Sequence, residues 1–184
     1  VNNSTLHFGA YLNDKLEGAM SFGSPLDKRK VLPLVSGTVW TGMLELNRMA
    51  FSDRLPRNSE SRCMAVAFRL IKKHYPHIEW ILSFSDGCQC GDGTIYRASG
   101  FVLTSIKKNN SIWRAPTGES FAETSLRPGI GGSAAIKKAE AISRTTMTKG
   151  AHLAASGGKS SMQRFKDAGW KPIEGFQLRY IYFL

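Results

Sequence analysis

The stretch from Trp80 to Phe101, WILSFSDGCQCGDGTIYRASGF, constrains the fold more than any other part of the chain. Trp80, Ile81, Leu82 and Phe84 read as a buried strand that breaks at Ser85-Asp86. A Gly/Cys-rich turn follows, then a short helix that carries Tyr96 and ends at Gly100. A carboxylate at the C-terminal end of a strand, facing a tyrosine on the next helix, stands where α/β folds keep their chemistry. An Asp ending an apolar strand is costly unless exposed, paired or functional. A Tyr just inside a short helix can donate a proton to a leaving group. The same residues also suit a plainer arrangement, in which Asp86 caps the Gly87 turn and Tyr96 is a half-buried structural ring. From these residues alone both arrangements stand.

The flanking segments supply a sheet for this strand. Leu6 to Tyr11 and Leu16 to Phe22 predict a hairpin closed by the Asn13-Asp14 turn. Asp27 to Lys30 reads as a polar loop, with Pro25 and Pro33 marking breaks. Gly42 to Phe51 alternates as a strand, with Met43, Glu45, Asn47 and Met49 on one face and Leu44, Leu46, Arg48 and Ala50 on the other. Ser59 opens an amphipathic helix whose apolar stripe is Met64, Phe68 and Ile71, with Ala65 and Leu70 nearby; Pro76 ends it. Phe101 to Ile106 and Phe176 to Leu184 are two more strands. Residues 107–169 are polar and rich in Gly, Ser, Thr and Lys, with helical patches at Ala134–Ser143 and Ser161–Ala168. They read as an insertion between two strands that pair with each other, inside a single domain over 1–184.

Charge points to the partner. The 25 Lys and Arg outnumber 14 Asp and Glu, a net charge of +11. Residues 1–101 hold 12 basic and 9 acidic side chains, net +3, and residues 102–184 hold 13 and 5, net +8. A basic half joined to a near-neutral one suits a protein that holds a polyanion, although a soluble protein can also simply be basic. No apolar run reaches the roughly 18 residues of a membrane span, which argues against a membrane protein. Three cysteines, Cys63, Cys88 and Cys90, fit a reduced, cytoplasmic setting better than a disulfide scaffold. The chain opens on Val1 rather than Met, so further residues are expected upstream.

Three other clusters could carry chemistry. Arg57-Asn58-Ser59-Glu60-Ser61 joins a loop to a helix start, where backbone N–H groups, Arg57 and Arg62 could cradle the pyrophosphate of a cofactor such as coenzyme A. An ordinary N-cap by Asn58 or Ser59 would account for it equally well. Cys88-Gln89-Cys90 lacks a second Cys/His pair beside it and makes a weak zinc motif; His74 and His77 are expected to face solvent. In the insertion, Lys107, Lys108, Lys137, Lys138, Arg144, Lys149, Lys159 and Arg164 lie among small hydroxylated residues suited to the phosphates of double-stranded DNA. Trp113, Phe121 and Trp170 could stack on a base or anchor the insertion, and anchoring suits Trp170 better.

The ordered set ELNRMAF, an Asn-Ser-Glu-Ser helix start, SFSD, GTIYRASGF and a terminal LRYIYFL resembles the Mom family of phage DNA-modification proteins. The resemblance covers roughly residues 5–106 and 171–184. It implies a GNAT-like α/β (α+β) fold, a mixed, mostly antiparallel twisted sheet flanked by helices, with the basic insertion before the last strand. It implies an enzyme that converts adenine in DNA to an N6-carbamoylmethyl derivative, protecting phage DNA from host restriction. Asp86 and Tyr96 then fall on the family's functional aspartate and tyrosine. Glu45, Asn47 and Arg48 lie on its ELNR strand, where acceptor and pantetheine meet, and Asn58, Ser59 and Ser61 take the place of its acyl-CoA (acetyl-CoA) pyrophosphate loop. The usual Arg/Gln-x-x-Gly-x-Gly/Ala signature of the superfamily is replaced here by RLPRNSES. The family's His-Tyr pair precedes its first hairpin and so belongs before Val1. Plain acetyl transfer to adenine N6 would give an amide, so a further activating step is needed. The family's link to iron would supply one, with Asp86 and Tyr96 as half of a hard-metal set. The target adenine would be flipped out of the duplex or met in distorted DNA. The rival readings are a GNAT N-acetyltransferase acting on a small-molecule or protein amine, and a non-catalytic DNA-binding module. The oligomeric state is left open.

Overall fold

The structure is a computed structural model describing residues 3–88, 91–126, 133–146 and 161–184. In chain order its elements are β1 (Ser4–Leu12), β2 (Lys15–Gly23), α1 (Lys28–Val31), a 3-10 turn (Leu32–Leu34), β3 (Met43–Phe51), α2 (Ser59–His74), β4 (Trp80–Asp86), α3 (Thr94–Ala98), β5 (Val102–Arg114), β6 (Ser120–Ala122), α4 (Glu123–Leu126), α5 (Ser133–Thr146), α6 (Ser161–Asp167) and β7 (Lys171–Phe183). The chain divides into two compact units, residues 1–106 with 177–184, and residues 107–176.

In the first unit the strand order is β1-β2-β3-β4-β7-β5. β1–β2, β2–β3 and β4–β7 are antiparallel and β3–β4 is parallel, the mixed, mostly antiparallel sheet that the sequence predicts. Asn13 and Asp14 close the β1–β2 hairpin with φ of 49° and 61°, the left-handed pair a tight hairpin turn requires. Strand alternation sends Met20, Phe22, Leu44, Leu46, Ile81, Leu178 and Tyr180 to one face of the sheet, against α2. That helix buries Met64, Ala67, Phe68 and Ile71, spaced i, i+3, i+4, i+7, the full burial of Met64, Phe68 and Ile71 contributing about 2 kcal/mol each. Ala65 and Leu70, expected near this stripe, are exposed, and Ala67 takes their place. Lys72, Lys73 and His74 complement the dipole at the C-terminal turn of α2.

The opposite face buries Met43, Trp80, Leu82 and Ile181 under Val31, Leu32, Leu34 and Val35. The supposed loop at Asp27–Lys30 is therefore largely helical. Asp27 caps α1, accepting from the Lys30 N–H at 3.4 Å and pairing with Lys30 Nζ at 2.9 Å. Pro33 sits in the first turn of the 3-10 segment, where its missing N–H costs nothing. It starts a turn rather than breaking one.

The second unit has its own core of Trp113, Ala115, Leu126, Ala139, Phe165, Ala168 and Trp170. β6 pairs with β5 through Ile112↔Ala122 to Arg114↔Ser120. The expected helical patches are present as α5 and α6. β5 and β7 run well beyond their expected limits, to Arg114 and back to Lys171, because two adjacent strands satisfy each other's backbone whatever their side chains. Thr104 meets Arg179 in the first unit and Lys108 meets Glu174 in the second, an antiparallel progression.

Candidate active site

β3 and β4 pair only through Met43↔Trp80, Leu44↔Ile81 and Glu45↔Leu82. Beyond that point β3 continues against β2, while β4 continues against β7 as far as Asp86↔Gln177. A bulge accompanies the parting: Ser21 faces Arg48 and Phe22 faces Leu46, so Asn47 has no partner in β2. One extra residue bends its strand and reverses the alternation downstream. The structure therefore overturns the expected faces of β3 after residue 46: Met49 and Phe51 join Leu44 and Leu46 in the core beside α2. Asn47 Oδ1 accepts from Ser4 Oγ at 3.0 Å, which ties the bulge to β1.

Four side chains lie at this end of β3 and β4, Glu45 and Asp86 on the sheet face away from α2, and Ser83 and Ser85 on the α2 side. Glu45 is half-buried, and burial pushes its carboxyl above the usual range while the Arg48 charge and a hydrogen bond with Asn47 pull it down. Ser83, the first β4 residue past the paired stretch, is fully buried, and its hydroxyl has no partner among the described residues. Ser85 is also buried, and its hydroxyl donates to the Gly91 carbonyl at 3.2 Å. Asp86 ends the strand half-exposed, and its Oδ1 accepts from the Cys88 N–H at 2.9 Å. The turn-capping role foreseen for Asp86 is thus present, and the Cys88 thiol also bonds its carboxylate. Burial, then Asp86, pushes the Cys88 thiol up, which makes it a poor nucleophile. Tyr96 is half-buried on α3, its ring 5.3 Å from Phe101 and 5.3 Å from Tyr180. Gly100, at φ 85°, ends that helix as expected.

Helix α2 begins at the end of the sheet where β3 and β4 finish. Asn58 is left-handed, with φ 66°, and its side chain makes no capping hydrogen bond. The Ser59 hydroxyl donates to the Pro56 carbonyl at 2.6 Å and the Ser61 hydroxyl to the Asn58 carbonyl at 3.1 Å. The N-cap alternative is therefore not realised, and the positive end of the helix is left without a side-chain acceptor. Arg57 is exposed beside it. Arg48 goes elsewhere. It faces Ser21 across the ladder, between core residues Met20 and Phe22, so its side chain lies on the sheet face away from α2. There its Nη1 donates to the Asn47 carbonyl at 3.1 Å, and His7 Nδ1 lies 3.0 Å from Ser21 Oγ. Arg48 does not join Ser59 and Ser61 on one side of the sheet.

Among the described residues no three His, Cys, Asp or Glu side chains come together to hold a metal ion. Asp86 and Tyr96 alone offer two oxygen donors, short of the set a hard cation needs. The described residues do not fit an iron site, nor a zinc site at Cys88; Cys90 lies outside them. His74 and His77 are exposed, as expected.

In the second unit Lys107, Lys137 and Arg164 are exposed. Lys108 pairs with Glu174 at 2.9 Å, and Lys138 pairs with Glu119 at 2.7 Å while lying over the Phe121 ring. Lys149, Lys159 and the Arg144 side chain lie outside the described residues. Trp170 is a core anchor as expected, its Nε1 donating to Ser143 Oγ at 3.1 Å. Trp113 is buried too and Phe121 packs on Trp170 at 5.3 Å, so of the two alternatives left open for these rings the structure has core anchoring.

Sequence reasoning passed over Ser83 and the group around Tyr180. Two serines alternating within an otherwise apolar strand, Ser83 and Ser85, were the available signal for the first.

The Mom protein family matches residues 1–184. The chain is 38% identical over 127 residues to "Methylcarbamoylase mom" of Escherichia phage Mu, a match covering 68% of this chain and 52% of that protein. The chain thus spans about half the length of this curated relative. Among solved structures, an acetyltransferase of the GNAT family from Streptococcus pneumoniae is similar at TM-score 0.43 and 16% identity, covering 59% of this chain and 57% of that one. A GNAT family acetyltransferase from Elizabethkingia anophelis with acetyl-CoA bound is similar at TM-score 0.38 and 16% identity, covering 56% and 57%. No helix among the described residues is long and apolar enough to cross a membrane.

Proposed function

The chain belongs to the Mom protein family, and on that premise we propose that it modifies DNA, converting adenine to its N6-carbamoylmethyl derivative so that phage DNA escapes host restriction. The observation that carries this reading is the gap at the C-terminal ends of β3 and β4. The Asn47 bulge lies beside it, with Glu45 and Asp86 on the sheet face away from α2 and the buried Ser83 hydroxyl on the α2 side. The name of the phage Mu relative, a methylcarbamoylase, supports the choice of reaction.

An acyl-CoA suits the gap. The uncapped start of α2, with Arg57, Asn58, Ser59 and Ser61, would hold the pyrophosphate, and the bare strand edge at Asn47 would hold the pantetheine arm. The orphaned Ser83 hydroxyl is a ready partner for a polar group of that arm. Bound there, an acyl-CoA supplies a two-carbon unit activated as a thioester. Adenine N6 is a weak nucleophile because its lone pair is delocalised into the ring, so it must lose a proton as it attacks. Glu45, its carboxyl raised by burial, would accept that proton, and the Tyr96 hydroxyl would return one to the leaving group. The Asp86 carboxylate would orient the incoming base. That transfer releases the coenzyme A thiol and leaves an N6-acyl amide; a carbamoylmethyl group, joined to N6 through CH2 and ending in an amide nitrogen, takes in addition a two-electron oxidant and an ammonia-level nitrogen donor. To reach N6 the base must leave the duplex stack, and the cations of the second unit, Lys107, Lys137 and Arg164 with Lys108 and Lys138, would grip the phosphates meanwhile.

Nucleoside mass spectrometry of DNA from cells expressing the full-length protein tests the reading. Carbamoylmethyl-deoxyadenosine is expected from the wild-type protein and not from Asp86→Ala or Tyr96→Phe, both folded. Unmodified deoxyadenosine from the wild type refutes the function. Full activity in either variant refutes the site.

A further inference from the structure

We infer that Tyr180 is the positioning residue for Tyr96, holding its helix through a clamp completed by Arg97 and Asp92. The inference rests on the proposal that Tyr96 takes part in the reaction. α3 has five residues, too few to be stable alone, so its place must come from tertiary contacts.

Tyr180 provides those contacts from both ends of its side chain. Its ring is fully buried and its hydroxyl donates to the Asp92 carbonyl at 2.8 Å, while Arg97 Nη1 donates to that hydroxyl at 3.1 Å. Arg97 folds back over the same corner: Nη1 reaches the Asp92 carbonyl at 2.5 Å, and Nη2 reaches Asp92 Oδ2 at 2.7 Å and Thr94 Oγ1 at 3.1 Å. Asp92 Oδ1 receives the Thr94 N–H and hydroxyl at 3.1 and 2.5 Å, which starts the helix. The residue between them has to be glycine. Gly93 has φ 72°, and a Cβ there would stand 2.5 Å from Tyr180 Cε2 and from its hydroxyl oxygen. The ring of Tyr180 meets the ring of Tyr96 at 5.3 Å and 35°.

Tyr180 also faces Ser83 across the β4–β7 ladder, so one residue relates the Tyr96 helix to the strand that borders the gap. The Thr94 and Arg97 contacts hold the Asp92 carboxyl down at about 2, so the clamp stays charged at ordinary pH.

Hydrogen exchange and nucleoside analysis on the same variants test this. In Tyr180→Phe the rings still pack but the hydroxyl is gone, and amides 94–101 should exchange about tenfold faster, the factor expected when local opening loses two hydrogen bonds. Peptides from α2 and β4 should keep wild-type protection, and modified deoxyadenosine should fall by about tenfold, the same factor. Arg97→Gln alters an exposed side chain, so it keeps the fold in hand; it should give both changes, and Arg97→Lys, which can keep the Asp92 ion pair, should recover part of each. Unchanged exchange at 94–101 in both Tyr180→Phe and Arg97→Gln overturns the clamp, whatever the activity. Faster exchange with undiminished modification overturns the positioning role. A Tyr96→Phe protein as active as the wild type shows instead that the assignment of Tyr96 is at fault, and the positioning role falls with it.

Discussion

Replacing Ser83 by alanine should make the unliganded protein more stable and its ligand binding worse. The Ser83 hydroxyl is buried with no partner, and an unmade hydrogen bond at such a site costs about 1–3 kcal/mol. Alanine removes that cost and forfeits a few van der Waals contacts worth about 0.1–0.2 kcal/mol each. The net gain is about 1 kcal/mol, or roughly 2–4 °C in melting temperature for a chain of this size. Ser85 is the internal control. Its hydroxyl is bonded to the Gly91 carbonyl, so Ser85→Ala should lose about 1 kcal/mol. Coenzyme A reverses the order for Ser83. If the hydroxyl bonds the pantetheine arm, the variant should bind roughly five- to tenfold more weakly, and its melting temperature should rise less on addition of the ligand. Thermal denaturation with and without coenzyme A measures both effects. A Ser83→Ala protein that melts lower than the wild type refutes the orphaned-hydroxyl argument, and an unchanged coenzyme A shift removes Ser83 from the cofactor site.

Two further outcomes follow from the charges. Burial raises the Glu45 carboxyl, so the stability associated with its neutral form is fully present below 4.5 and is lost as pH rises through the raised value. Glu45→Gln should therefore be more stable than the wild type near neutrality, level with it below pH 4.5, and inactive throughout; parallel pH–stability curves would refute the burial argument. Binding of duplex DNA should lose about 0.9 from its log–log salt slope in each of Lys137→Ala and Arg164→Ala. Glu119→Gln, which releases Lys138, should steepen the slope, and slopes indifferent to all three changes would take DNA off this face.

Local signals were readable where a short stretch decides its own conformation. The Asn13-Asp14 turn, the stripe on α2 and the strand–turn–helix at 80–100 belong here, because φ preference, helical spacing and glycine placement act over a few residues. The bulge at Asn47 was not legible. ELNRMAF alternates plausibly in either phase, since Met occupies both candidate faces and only the register with β2 selects one. The full lengths of β5 and β7 were hidden because runs such as Lys107-Lys108-Asn109-Asn110 are polar on both faces, and pairing between neighbours overrode side-chain pattern. The contact between Tyr180 and Asp92 spans 88 positions, beyond any local pattern, and it is what ties the Tyr96 helix to the sheet.

The second unit leaves the first after Ile106 on β5 and returns at Gln177 on β7, and those strands are neighbours. Seen from the first unit, the whole of 107–176 is one loop closing between adjacent strands. The entropy of closing such a loop grows only with the logarithm of its length, each doubling adding about 0.6 kcal/mol. A gene can therefore lengthen, trim or exchange that stretch without disturbing the strand order that shapes the β3–β4 gap. The sheet and the stretch carried between its strands can then diverge at separate rates within one reading frame.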